Sequence, residues 1–132
     1  MAKATKTKLL SFNMDDKPGL LSEITGLLAD AKVNITAMCA YAWDDTAYFD
    51  MTTESSAKAK KALAALKLRA DEEDVVTVEM ANRVGELQKV AKVLAEGGLN
   101  ITYMYATTSA GRTSTAIFST SDNRKALRLI NK

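Results

Sequence analysis

MDDKPGLLSEITGLLADAKVNITAMCA, residues 14–40, lies without a gap over MANRVGELQKVAKVLAEGGLNITYMYA, residues 80–106. At this offset of 66, ten positions are identical, among them Gly19 with Gly85, Leu28 with Leu94, Asn34 with Asn100 and Met38 with Met104. Self-similarity at one fixed offset means two copies of a single supersecondary unit. The fold is therefore decided by reading one copy and checking it against the other.

Working outward, KLLSFNM (8–14) and VVTVEM (75–80) read as short strands, rich in residues that suit a half-buried pleated surface. Turn residues Asp15, Asp16, Pro18 and Gly19 follow the first. From Leu20 the apolar positions 20, 21, 24, 27 and 28 form one stripe at helical period, matched by Leu87, Val90, Val93 and Leu94. Pro18 is expected in the first helical turn, where its missing N–H costs nothing. Gly97 and Gly98 are expected to end the second helix in a left-handed cap. VNITAMCAYAW and LNITYMYATT then read as strands. Breaks at Asp44-Asp45 and Ser109-Ala110-Gly111 turn the chain into TAYFDMT and TSTAIFS. Ser55-Ser56 and Ser121-Asp122 cap second helices over 57–68 and 123–130.

Each unit is thus strand, helix, strand, strand, helix. That order builds an antiparallel sheet covered on one face by two helices, an α+β class. The expected organisation is a tail over 1–6, a first unit over 7–70, an acidic joint over 71–74 (Asp71-Glu72-Glu73-Asp74) and a second unit over 75–132.

At 132 residues, 47% of them hydrophobic and with a net charge of +2, the chain has the balance of a globular domain or two small ones sharing a core. No apolar run is long enough to span a bilayer, and MAKATKTK leads into no signal-peptide core, so a cytoplasmic, membrane-free protein is expected. The lone Cys39 forms no internal disulfide, and a chain without histidine offers no imidazole base. With no phosphate loop or metal-ligand spacing either, no catalytic residue, metal or cofactor is expected. A nucleic-acid role would need a basic surface beside its tyrosines, and the charge argues against it. Met14, Met38, Met80 and Met104 read as core filler. Lys58, Lys60, Lys61 and Lys67 read as a solvated helix face. Trp43 fits either an interface anchor or a strand-end side chain.

Asp16-Lys17-Pro18-Gly19-Leu20-Leu21 with Val33-Asn34-Ile35, and Asn82-Arg83-Val84-Gly85-Glu86-Leu87 with Leu99-Asn100-Ile101, resemble the paired motifs of the ACT domain, a small ligand-binding module. In both copies the first and last polar residues of the pairing stand 18 positions apart. The resemblance implies two ferredoxin-like units of βαββαβ type in tandem, although neither copy shows a clear fourth strand. It also implies a regulatory module, not an enzyme, that binds a free amino acid at an interface between units. Such a module signals through homodimer or higher oligomer state, or to a partner enzyme or regulator. The alternative is an assembly module with no ligand.

Carried onto this chain, the site residues are Asp15, Asp16, Pro18, Gly19, Leu20, Asn34 and Ile35, and in the second copy Asn82, Gly85, Glu86, Asn100 and Ile101. The chemistry fits an amino acid. A helix start offers unpaired amides and a positive dipole end to a carboxylate. Glycine keeps side chains away from those amides. An asparagine can donate to a carboxylate and accept from an ammonium, and Asp15 and Asp16 can oppose the ammonium. Asn34 equally fits a structural tie across a helix-to-strand turn. Val84 and Glu86 depart from the pattern, which favours the first copy as the binding one.

Overall fold

The computed structural model describes residues 2–108 and 110–132; Ser109 of the expected turn lies outside the described residues. The chain divides into two compact units, Lys8–Glu73 and the combination of Asp74–Lys132 with residues 1–7.

In the N-terminal unit, β1 (Lys3–Asp15) enters at Lys8 and leads through a turn to α1 (Leu20–Asp30), β2 (Ile35–Trp43), β3 (Thr46–Thr53) and α2 (Ser56–Leu63). β1 and β2 flank β3 and run antiparallel to it, with Phe12 opposite Phe49 and Tyr41 opposite Tyr48. Of the predicted stripe α1 buries Leu20, Ile24 and Leu28 against Leu10, Phe12, Phe49 and Met51 of the sheet and Ala59 and Leu63 of α2, while Leu27 is half-buried and Leu21 exposed. Phe12 and Phe49 stack with centroids 5.2 Å apart. α2 starts where its cap is expected, the Ser55 side chain accepting from the Lys58 amide. It is shorter than predicted, passing into a 3-10 turn at Ala64–Leu66 that closes on left-handed Lys67.

The C-terminal unit repeats the plan with β4 (Asp71–Ala81), entering at Asp74, then α3 (Glu86–Glu96), β5 (Ile101–Thr108), β6 (Thr113–Thr120) and α4 (Asn123–Asn131). Its core gathers Val76, Val78, Met80, Val90, Leu94, Phe118 and Ala126. Asp122 caps α4 by accepting from the Lys125 amide at 3.0 Å. α3 ends on Gly97, and Gly98 takes the left-handed conformation at φ 74°.

The expected tail at 1–6 and acidic joint at 71–74 are corrected: strand starts at Lys3 and at Asp71. These segments supply the fourth strands missing from the repeat. Beside β4 in the C-terminal unit lie Lys3–Thr7, and beside β1 in the N-terminal unit lie Asp71–Glu73, so each unit completes a ferredoxin-like sheet. Ala4 is buried in the C-terminal core. Its N–H donates to Asn131 Oδ1 at 2.7 Å and its carbonyl accepts from Asn131 Nδ2 at 2.9 Å. Thr7 and Thr77 join through their hydroxyls at 2.7 Å. In the N-terminal unit Ser56 donates to Glu72. Both segments escape a pattern search because edge strands carry charged side chains, and Lys3, Thr5 and Lys6 leave only one alanine stripe to bury.

Among the described residues no helix is long and apolar enough to cross a membrane.

Candidate functional site

The turn between β1 and α1 is built by two backbone features. The Asp16 amide donates to the Asp45 carbonyl at 2.8 Å, tying the end of β1 to the β2–β3 hairpin. Gly19 then caps α1 in the left-handed conformation, φ 86°, with no side-chain cap. Pro18 therefore stands one residue before the cap and not, as expected, within the first helical turn. Its fixed φ shapes the approach to a glycine-only position. No side chain caps the helix start: the Leu20 amide donates to the Lys17 carbonyl at 3.4 Å and the Glu23 amide to the Gly19 carbonyl at 3.0 Å, so the amides that the first turn leaves to a ligand are those of Leu21 and Ser22.

These amides open on a cleft of about 270 Å³ between the start of α1 and the far end of β2. Asp16, Lys17 and Gly19 form its polar edge, while Leu20, Leu21, Ala40, Ala42, Ala47 and Phe49, with Tyr41, make the rest largely apolar. Lys17 also pairs with Glu23 at 3.4 Å across the turn.

The C-terminal unit has its cleft in the same place, about 230 Å³, bounded by Asn82, Arg83, Glu86, Leu87, Ala106 and Thr108. Gly85 repeats the left-handed cap at φ 88°. The chemistry differs. Asn82 is tied to the β5–β6 turn, its side-chain amide donating to the Gly111 carbonyl at 3.0 Å and its backbone amide to the Arg112 carbonyl at 2.8 Å. Glu86 sits at the position where the first unit buries Leu20, and it is only 6% exposed. Its carboxylate meets Lys89 Nζ at 2.8 Å and Arg83 Nη2 at 3.2 Å. Hydrogen bonds from Lys89 and then Arg83 hold it below the usual carboxylate pKa, outweighing the opposing effect of burial.

Not all residues expected at the site come together. Asp16, Gly19 and Leu20 do; Asp15, at the end of β1, and Pro18 flank the cleft without lining it. Asn34 and Ile35 stand at the opposite end of the unit, because β1 and β2 both run antiparallel to β3 and so end on the same side. Asn34 and Tyr41 stand seven positions apart along the chain, roughly 20 Å. There Asn34 acts as a tie: its side-chain amide donates to Glu54 at 3.1 Å, and its carbonyl accepts from the Glu54 amide at 3.0 Å. At Asn100 the backbone makes the corresponding tie, its carbonyl accepting from the Ser121 amide at 2.9 Å and its own backbone N–H donating to the Ser121 hydroxyl at 3.1 Å, with Ile101 beside it opposite Thr120. Within one unit, then, the asparagine and glycine halves of the motif do not share a cleft. The residues that sequence reasoning missed, such as Ala40, Ala42 and Phe49, are small or apolar strand positions. Their only signal was topological: parallel β1 and β2 place the end of β2 beside the helix start.

Residues 8–67 match the family model of the ACT domain. No curated protein matches the chain. Among solved structures, a protein from Bacteroides thetaiotaomicron is 28% identical, with 96% of this chain and 87% of that one covered at a TM-score of 0.87. The aspartokinase alpha and beta subunits are 21% identical over 97% of this chain and 93% of that one, TM-score 0.69. The regulatory subunit of aspartate kinase from Thermus thermophilus, in its ligand-free form, is 13% identical over 98% and 93%, TM-score 0.70. Residues 8–67 are thus similar to the ACT domain, and the α+β fold of the chain is the ACT fold.

Proposed function

We propose that the protein is a regulatory sensor that binds a free amino acid in the cleft of the N-terminal unit. The observation that carries this reading is the start of α1, capped by no side chain after left-handed Gly19, opening on a cleft otherwise lined by Leu21, Ala40, Tyr41, Ala42, Ala47 and Phe49. A ligand carboxylate suits the helix start, and Asp16 lies at the same edge to oppose an ammonium. The cleft is smaller than the roughly 300 Å³ at which sites for drug-sized ligands begin. It fits a small metabolite, and its lining favours an apolar side chain.

Asn34 reaches such a ligand only from a facing unit, since its own unit holds it at the far end. The exposed Leu21, Tyr41 and Trp43, which are 51%, 56% and 70% accessible, favour a second copy as the facing surface. Binding would then stabilise the arrangement of units that forms the site and pass that state to a partner. The relatives named as regulatory subunits of aspartate kinase support the class of function and leave the amino acid open.

Thermal shift against the twenty amino acids, with sedimentation velocity on any that bind, tests the proposal. The expected result is a raised Tm for amino acids with apolar side chains, together with a change in sedimentation. If none binds at millimolar concentration while the oligomer persists, the chain is an assembly module without a ligand.

A further inference from the structure

The two clefts occupy equivalent places yet differ at one position in a way that bears on stoichiometry. Where the first unit has Leu20, the second has Glu86, whose carboxylate is buried in the first turn of α3 and clamped by Arg83 at 3.2 Å and Lys89 at 2.8 Å. Glu86 lines the cleft beside Asn82 and Leu87. A negative group is thus already installed at the helix start and takes up the two cations beside it, so a further carboxylate arriving there would have to displace it from them. Asn82 also replaces Asp16, so the acid left at this edge is Glu86, held by Arg83 and Lys89.

We propose that Glu86 is a specificity-determining residue that supplies the second cleft with its own carboxylate. The C-terminal unit thereby refuses amino-acid ligands, and each chain binds one, at the N-terminal unit. The inference rests on the proposed function for the first cleft only. What it asserts about the second is testable without any amino acid.

Acetate serves as the probe of the second cleft. In Glu86→Ala, which leaves Arg83 and Lys89 facing a vacated turn, sodium acetate should raise the Tm more than sodium chloride at equal ionic strength. In the unchanged protein the two salts should act alike. In Glu86→Gln, which keeps the shape should the alanine variant fail to fold, acetate should shift the NMR signals of the Gly85, Leu87 and Gln88 amides. In the unchanged protein those amides should stay still. Equal responses of variant and unchanged protein overturn the proposal. So does an amino acid that saturates the unchanged protein at two per chain. A positive acetate result with no amino-acid binding at all would leave Glu86 in its role and count against the sensor reading of the first cleft.

Discussion

Gly19 and Gly85 adopt φ values of 86° and 88°, and a Cβ at either would meet no atom within 4 Å. Their requirement is one of backbone conformation and not of space, so Gly19→Ala is expected to cost about 1–2 kcal/mol, the penalty of a left-handed L-residue. Denaturant unfolding measures it. Amino-acid affinity at the first cleft should fall with it, because relaxing the left-handed turn shifts the helix start that lines the cleft. Glu86 has a different signature. Its pKa is held below the ordinary carboxylate value in the folded chain, so the stability it contributes is full above the unfolded pKa and is lost as pH falls through the folded one. Unfolding of Glu86→Gln against the unchanged protein should therefore show a difference at neutral pH that shrinks under acid. A difference independent of pH would mean that Glu86 acts by packing and not by charge.

Between elements, α1 and α3 present the same three positions to their cores, Leu20, Ile24 and Leu28 in one and Glu86, Val90 and Leu94 in the other. Leu28 and Leu94 are fully buried, and alanine at either should cost about 2–5 kcal/mol by denaturant titration. The second helices depend more on their ends. α2 is eight residues long and α4 nine, too short to hold without help from caps and packing. Ser55→Ala and Asp122→Ala are each expected to lower stability by about 1 kcal/mol, the second with fraying at the start of α4 visible in hydrogen exchange. At this scale the sequence was highly legible. Turn and cap residues are local signals, and the helical stripe repeats. What local signals missed was the position of Pro18, since a proline before a left-handed glycine and one inside a helix leave the same string of letters.

Each whole unit is completed by a strand far from it in sequence. Removing residues 2–7 takes from the C-terminal unit Ala4, its two bonds to Asn131 and the strand beside β4. Hydrogen exchange should then show β4 amides losing protection while β2 and β3 keep theirs. Asn131→Ala alone, which removes both bonds, should cost about 1–3 kcal/mol. These partners were illegible because Lys3–Thr7 and Asp71–Glu73 are polar edge strands whose pairing, not their composition, makes them structure. The same holds for the site. Gly19 and Asp16 could be read from the turn itself, but the neighbours of the cleft on β2 and β3, and the exclusion of Asn34 from it, follow from strand direction. By itself the sequence determined the repeated unit, the helix starts and the apolar faces, because these depend on residues a few positions apart. Only the tertiary structure decided which strands complete each sheet and which side chains share a cleft, because both are contacts between segments whose separation along the chain carries no signal.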